Sequence, residues 1–257
     1  MDPKPFDARR AVMQFFETDR VWGVDEVPVP RAVLSRRPAS DPGGSGQVTG
    51  GGLSPDEKRT RLGVLDEQKV KPCTSCRLAE GRTNTVFGVG NADARLVFVG
   101  EGPGFEEDRQ GIPFVGRAGQ LLDRMIVAMG TRRADVYICN VVKCRPPNNR
   151  DPAADEIAAC SPYLFEQLQV IDPQVIVALG APASRTLLNT TEPIGKLRGR
   201  FHDFTVGDPL GGGKVVPLMP TYHPAYLLRS PHQKVKTWAD MKMVMKLLGL
   251  TSPVAPR

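Results

Sequence analysis

From about residue 71 onward, short apolar runs rich in β-branched residues alternate with stretches whose apolar positions recur at helical spacing. The runs that predict strands are 96–99, 136–139, 175–179 and 215–219. The stretches that predict helices are 117–130, 152–171, 181–189 and 232–248. The strand runs are apolar throughout, which is typical of a parallel sheet covered by helices on both faces. The pattern therefore predicts an α/β fold of three layers, α/β/α, around a central, mainly parallel four-stranded sheet.

The chain before residue 55 has a different pattern. Apolar residues recur at roughly helical spacing over 7–22, which predicts a short amphipathic helix. Gly, Ser and Pro dominate 37–54 and leave almost nothing to bury, which predicts a flexible linker. A Ser-Pro-Asp segment then begins a further helix over about 55–70. We therefore expect a mostly flexible N-terminal extension over 1–54 and one folded domain over 55–250.

A polar or glycine-rich segment follows each predicted strand. These segments are GEGPG at 100–104, Asn140, Gly-Ala at 180–181 and YHP at 222–224. In open α/β sheets, ligands bind outside the carboxyl ends of the strands. Because the four segments all fall at that edge, the sequence predicts that they line one shared cleft.

Four side chains of this expected cleft carry candidate chemistry, each with a simpler alternative. Glu101 lies where a tight glycine turn would aim it into the cleft, although such a turn can also be only a turn. Phe114 offers a face on which a nucleobase can stack, or it covers the core. The amide of Asn140 suits the edge of a pyrimidine, or it caps a turn. His223, held extended by the following proline, is either catalytic or structural.

Charge narrows the class of partner. The 257 residues carry a formal net charge of +6, which favours a polyanionic partner such as nucleic acid. The basic loop GKLRGR contains Lys196, Arg198 and Arg200, which would either contact nucleic-acid phosphates or form a solvated turn. No apolar run approaches the roughly 18 residues of a membrane span, and the N-terminus lacks the apolar core of a secretory signal. We therefore expect a cytoplasmic, nucleoid-associated protein that has no membrane partner.

Five cysteines without an export signal argue against a disulfide framework and for metal binding, chemistry or burial. Cys73 and Cys76 form a C-x2-C pair that can bring two thiolates to one metal centre. Fifteen residues separate Cys144 from Cys160, so the second short knuckle of a structural zinc site is missing. From spacing alone, an iron–sulfur cluster, a zinc ion and unliganded thiols are all open. Cys139 ends an apolar run and is expected to be a buried small hydrophobe.

Together these segments resemble the family 4 uracil-DNA glycosylases over about residues 71–248. The segments that carry the resemblance are KPCTSC, VFVGEGPGFEEDRQGIPFVGRAGQLL, YICNVVKCRPPNNRDP, VIVALG, IGKLRGRFH and TYHPAYLLR, with the Cys160 spacing. The resemblance implies a uracil-DNA glycosylase fold and hydrolysis of the N-glycosidic bond of deoxyuridine in DNA. That reaction releases uracil and leaves an abasic site during base excision repair.

The resemblance also implies roles for the cleft residues. Glu101 would position or polarise the attacking water, with the backbone of Gly102 near the flipped base. Phe114 would stack on uracil, and Asn140 would hydrogen-bond its edge. His223 would stabilise the negative charge on the departing base.

Three further roles follow from the same resemblance. Glu107 lies where the family blocks the 5-methyl group of thymine. Leu227 would lie near the wedge that fills the gap in the duplex and so is expected to contact DNA. The cysteines that would hold a [4Fe-4S] cluster are Cys73, Cys76, Cys144 and Cys160.

Two neighbouring families differ from this sequence in the same motifs. One has a glutamine in its first motif and a basic, histidine-containing insert between its third and fourth cysteines, and it forms a covalent adduct with uracil. The first motif here reads GEGPG, and the stretch between Cys144 and Cys160 is too short for that insert. The second family lacks an acid in the first motif, where this chain has Glu101.

Two other function classes compete with a glycosylase: an iron–sulfur electron carrier with an incidental cleft, and a non-catalytic nucleic-acid binding module with a zinc staple. Under the glycosylase hypothesis the partner is uracil-containing DNA and the chain is expected to be a monomer. The extension 1–54 would either tether a replication or repair partner or serve as an accessory helix with a linker.

Overall fold

The computed structural model of the chain describes residues 52–207 and 213–252. The amphipathic helix expected over 7–22, and nearly all of the expected extension, lie outside those residues. The next helix begins as predicted, because Glu57 donates its backbone N–H to the Ser54 hydroxyl at 3.4 Å while its carboxylate accepts the Ser54 backbone N–H at 2.8 Å. The α-helical part of this helix ends at Leu65, and the chain continues as a π-helical turn over Asp66–Val70.

The helices and strands of the described residues interleave along the chain. The helices are α1 (Pro55–Leu65), α2 (Leu78–Gly81), α3 (Phe105–Gln110), α4 (Arg117–Ala128), α5 (Ala154–Ile171), α6 (Ala181–Leu188), α7 (Ile194–Leu197), α8 (Pro224–Arg229) and α9 (Lys234–Leu248). The strands are β1 (Val89–Gly90), β2 (Leu96–Gly100), β3 (Tyr137–Asn140), β4 (Val175–Leu179), β5 (His202–Val206) and β6 (Lys214–Thr221). Helices α4, α5, α6 and α9 lie within two residues of their predicted ends.

The strands form one sheet in the order β1-β3-β2-β4-β6-β5. The four inner strands β3, β2, β4 and β6 are the predicted ones, and they are mutually parallel. The sheet is wider than predicted, because β1 and β5 add an antiparallel strand at each edge. The hydrophobic pattern missed them because β1 is two exposed residues and β5 is only partly buried.

Successive residues of the inner strands face two separate cores, which confirms the three-layer prediction. Val97 of β2 packs into one cluster with Leu168 of α5. Its neighbour Phe98 packs into the other cluster with Leu122 of α4 and Met241 of α9. Each side chain of this kind stabilises the fold by about 1.5–3 kcal/mol when fully buried. Because the inner strands are buried along their length, a site is expected at their carboxyl ends, where the chain turns toward the helices.

Two short helices at that edge, α3 and α8, were not predicted. Each is six residues long, too short for helical periodicity to stand out in the sequence. Cys139 is fully buried in β3, as the sequence predicted. Among the residues that the structure describes, no helix is long and apolar enough to span a bilayer.

Candidate active site at the carboxyl edge of the sheet

A cleft of about 420 Å³ opens at the carboxyl ends of the inner strands. It brings together all six residues that the sequence analysis assigned to the substrate: Glu101, Gly102, Glu107, Phe114, Asn140 and His223. The loops after β2, β3 and β6 therefore meet around one pocket as predicted, whereas the expected fourth segment, Gly180 and Ala181 after β4, is not among the described residues that line it. The roles assigned to the individual side chains stay predictions.

The floor of the cleft is formed where β2 and β3 end side by side. Gly100 and Asn140 are register partners in the parallel pair. A Cβ atom on Gly100 would lie 2.3 Å from Asn140 Oδ1 and 2.6 Å from Phe114 Cζ, so any larger residue would displace both side chains. Asn140 Oδ1 is buried and has no hydrogen-bond partner among the described residues. A buried amide oxygen without a partner is costly, which marks it as a position for a ligand donor.

The loop that carries Phe114 is held by Glu107. Its Oε1 atom accepts the backbone N–H groups of Val115 at 3.0 Å and Gly116 at 2.9 Å. Phe114 itself has a left-handed backbone with φ of 54°, a strained conformation that these bonds help to maintain. The sequence analysis assigned Glu107 to the substrate but did not predict its hydrogen bonds to Val115 and Gly116, which lie eight and nine residues further along the chain.

His223 caps helix α8, and this contact determines its tautomer. Its Nδ1 atom accepts the backbone N–H of Ala225 at 3.1 Å, so in the neutral ring the proton is on Nε2. Burial, together with the nearby Arg229 charge, lowers the pKa of His223 to about 4, so the ring is neutral at pH 7. The ring centroid lies 5.6 Å from that of Phe114. The cleft therefore presents the neighbouring rings of Phe114 and His223, and the Nε2–H of His223 as a donor.

Glu101 faces an acid that sequence reasoning did not assign to the site. Burial, and next the charge and hydrogen bond of the Asp151 carboxyl group, raise the pKa of Glu101 to about 7. Asp151 also lines the cleft. The signal that could have found it is its position in RPPNNRDP, one of the segments that carry the family resemblance.

Asp151 is held in place through its neighbour Arg150. Arg150 donates to the Asp151 backbone oxygen at 2.9 Å and to both carboxylate oxygens of Glu156, at 2.8 and 2.6 Å. Glu156 is fully buried, and the hydrogen bonds from Arg150 contribute most to lowering its pKa to about 2. Arg77, next to Cys76, also donates to Glu156 at 2.8 Å. This network ties the loop at one wall of the cleft to the cysteine-bearing segments.

The four predicted ligand cysteines line a second, separate cavity. Three of their sulfur atoms accept hydrogen bonds: Cys73 from the Tyr163 hydroxyl at 3.4 Å, Cys144 from the Arg82 guanidinium at 3.2 Å, and Cys160 from the Lys143 backbone N–H at 3.2 Å. Such donors stabilise cluster-bound thiolates. Within 52–207 and 213–252, no three or more His, Cys, Asp and Glu side chains converge closely enough for a single metal ion. The four thiols and the donors around three of their sulfur atoms suit a thiolate-bound metal group.

The predicted nucleic-acid contacts divide into two groups. Lys196 and Arg200 are exposed and stay candidates for phosphate contacts. Arg198 instead pairs with the buried Asp240, with Nη2 to Oδ1 at 2.6 Å and Nε to Oδ2 at 3.0 Å, and its side chain is only 14% exposed. That ion pair engages the guanidinium within the protein. A phosphate contact by Arg198 therefore stays a prediction, and it would require the Arg198 side chain to leave Asp240.

The predicted DNA contact of Leu227 requires correction. Its side chain is fully buried in the core cluster that contains α4 and α9. Helix α8 turns Leu227 inward and leaves Tyr226 and Leu228 partly exposed. A buried side chain cannot enter a duplex, so Leu227 supports the helix instead of touching DNA.

Comparisons with known proteins agree with this geometry. The family model of the uracil DNA glycosylase superfamily matches residues 87–242. A type-4 uracil-DNA glycosylase from Thermotoga maritima is 51% identical over 179 residues, covering 69% of this chain and 89% of the relative. Relatives of the same description from Archaeoglobus fulgidus and Saccharolobus solfataricus are 42% and 44% identical, each covering 72% of this chain and 93% and 85% of the relative.

A parallel sheet with an acid, an amide and a neutral imidazole at its carboxyl edge, together with the family match, defines the class as the uracil-DNA glycosylase superfamily. Within that superfamily, the chain belongs to the type-4 uracil-DNA glycosylases.

Proposed function

We propose that the chain hydrolyses the N-glycosidic bond between uracil and deoxyribose in DNA, releasing uracil and leaving an abasic site for base excision repair. The observation that carries the proposal is the buried Oδ1 atom of Asn140, which has no partner within 52–207 and 213–252 and lies among Phe114, His223 and Glu101 in one cleft. Extruding a base from the duplex costs a few kcal/mol of free energy, because stacking and pairing are lost. A flipped uracil therefore needs compensating contacts of this kind.

Asn140 selects uracil by hydrogen-bond polarity. Its Oδ1 atom accepts the N3–H of uracil, whereas cytosine has an unprotonated acceptor at that ring position. Placing cytosine there would leave two buried acceptors facing each other, which a hydrogen-bonding site rejects strongly. Phe114 stacks on the same base, a contact worth about 1–3 kcal/mol.

His223 stabilises the leaving group. As the bond between C1′ and N1 breaks, the electron pair moves to uracil and negative charge grows on its oxygen O2. The Nε2–H of the neutral imidazole donates a hydrogen bond to that oxygen, since Nδ1 is engaged with the Ala225 N–H at 3.1 Å. A preorganised donor of this kind is typically worth about 10²–10³ in rate.

Glu101 positions the water molecule that attacks the sugar. In its ionised form it accepts a hydrogen bond from the water that adds to C1′, which carries positive charge in the transition state. Because its pKa is raised to about 7, the carboxyl group is protonated below that pH and ionised above it. Activity should therefore rise with pH through the region around 7.

Two further contacts complete the binding of DNA. Glu107 lies against the position of the uracil 5-carbon and excludes the methyl group of thymine. The exposed Lys196 and Arg200 contact backbone phosphates, which supply affinity without reading sequence.

The four cysteines would hold a [4Fe-4S] cluster. When bound, the cluster would supply a cross-link between the segment before α2, the loop after β3 and helix α5. The cysteine-bearing segments in turn hold the loop of Asp151 through Arg77, Glu156 and Arg150. A brown protein containing iron and sulfide is the expected product of purification.

The test measures uracil release from single- and double-stranded oligonucleotides that contain one deoxyuridine, using the full-length protein. Wild-type protein should release uracil, and Asn140→Ala should lose about 10²-fold or more in kcat/KM. Asn189→Ala, at the exposed end of α6, is the matched control. A wild-type preparation that contains the cluster but leaves uracil attached to its sugar would exclude the proposal.

A further inference from the structure

An exposed aromatic side chain lies at the rim of the cleft. Phe105 is 56% exposed and directly follows Gly104, which lines the cleft. The guanidinium carbon of Arg145 lies 5.1 Å from the centre of its ring. Arg145 also donates from Nε to Asn149 Oδ1 at 2.7 Å, and both Asn149 and the neighbouring Pro146 line the cleft.

The contact between Phe105 and Arg145 joins the two loops that flank the entrance. Phe105 begins α3 after the GEGPG turn, whereas Arg145 belongs to the loop after β3. The cation holds one side of the ring and leaves much of the side chain in solvent. The other exposed phenylalanine among the described residues, Phe165 on α5, instead packs against Phe204 with ring centroids 6.3 Å apart. An exposed ring oriented by an arginine beside a nucleotide-sized cleft has the features of a surface on which a base stacks.

We propose that Phe105 and Arg145 form a stacking platform for a DNA base that neighbours the extruded uracil, an inference that rests on the proposed function. A strand that delivers one nucleotide into the cleft must pass over its rim. The adjacent base is then unstacked on the side from which uracil has left. Phe105 offers that base a new aromatic face, and Arg145 adds positive charge near the backbone. Every base has a stacking face, so the platform binds without a sequence preference.

The experiment compares two single-stranded 11-mers that carry a central deoxyuridine. One has thymine at its other positions, and in the second the two residues on either side of deoxyuridine are base-free tetrahydrofuran units. The two substrates share all phosphates and differ only in the neighbouring bases. Phe105→Ala should raise KM for the first substrate about five- to twentyfold and raise KM much less for the second. Arg145→Gln should raise KM for both and reduce the dependence of KM on salt concentration.

Phe165→Ala is the control, since it removes another exposed ring, 41% exposed, that is not among the described residues lining the cleft. It should leave both KM values within twofold of wild type. The platform is overturned if Phe105→Ala behaves like Phe165→Ala on the thymine substrate, or if it raises KM equally on both substrates.

Binding measured by fluorescence anisotropy separates this inference from the proposed function. Thymine 11-mers with a central tetrahydrofuran unit require no catalysis. Weaker binding by Phe105→Ala than by Phe165→Ala supports the platform even if wild-type protein releases no uracil. Equal binding by the two variants overturns the platform even if wild-type protein is an active glycosylase.

Discussion

The cleft and the cysteine cavity both take residues from the segment after β3 but satisfy their polar atoms in opposite ways. In the cleft, Asn140 Oδ1 is buried and has no partner in the part of the chain that the structure describes. Burial also shifts the pKa values of Glu101 and His223 away from their usual range. In the cavity, the sulfur atoms of Cys144 and Cys160 accept hydrogen bonds from the surrounding protein. Unsatisfied groups await a ligand from solution, whereas satisfied sulfurs fit a group that stays bound.

This contrast predicts that substitutions in the cavity affect stability first, and that substitutions in the cleft affect rate first. Loss of Cys144 should have the largest effect. Cys144→Ala should abolish the cluster absorbance and lower the free energy of unfolding by about 4 kcal/mol or more, because a bound metal group contributes directly to folding. Absorbance, iron content and thermal melting measure this effect.

Cys139→Ala is the control for Cys144, because Cys139 is fully buried in β3 outside the cavity. It should melt earlier by a smaller amount and keep its iron. If Cys144→Ala retained a full complement of iron and sulfide, the assignment of the four ligands would be wrong.

The next largest effect is expected mainly on rate. His223→Ala should lower kcat by about 10²–10³-fold, because the donor to the departing uracil is lost. The exposed His232→Ala should keep wild-type kcat. Thermal melting of His232→Ala should stay close to wild type, whereas His223→Ala should lose about 0.5–2 kcal/mol of stability because its cap on α8 is removed. Retention of wild-type kcat by His223→Ala would remove this residue from the mechanism.

Glu107 has two expected functions: it holds the loop of Phe114 through Val115 and Gly116, and it excludes the methyl group of thymine. Two variants can separate these functions. Glu107→Gln keeps an oxygen for the Val115 and Gly116 N–H groups, whereas Glu107→Ala loses both bonds and opens space beside the uracil 5-carbon. Only Glu107→Ala should release thymine measurably, since one methyl group in a pocket is worth about 10–200-fold. It should also lose more uracil activity than Glu107→Gln. Thymine release that is undetectable in both variants would contradict the role in discrimination.

The smallest effect concerns the carboxyl pair. The charge of Asp151 raises the pKa of Glu101, so Asp151→Asn should lower that pKa and increase the ionised fraction of Glu101 below pH 7. The expected result is a gain of roughly two- to fivefold in kcat/KM at pH 6, with little change at pH 8. Asp155→Asn, an exposed acid that pairs with Arg77, provides the control and should keep the wild-type pH profile. An unchanged profile in Asp151→Asn would mean that the two carboxyl groups do not interact.

The hydrophobic pattern alone was sufficient for the inner sheet and for the four long helices α4, α5, α6 and α9. Buried strands and amphipathic helices are encoded by local periodicity, so they can be recognised without knowing their neighbours. The motif residues at the strand ends were recognised for the same reason, because each follows a run that is visible in the sequence. The edge strands and the short helices α3 and α8 carry too few buried positions to be visible in this way.

The contacts between these residues and their protonation were decided by the tertiary structure alone. The pairing of Gly100 with Asn140 and the approach of Asp151 to Glu101 depend on register and loop closure. The burial of Leu227 depends on which way α8 turns, and the sequence-based prediction for it was wrong. Periodicity is a local property of the chain, whereas desolvation and charge coupling depend on atoms brought together from distant segments. The sequence therefore determined which chemical groups lie at the edge of the sheet, and the fold determined their protonation and their partners.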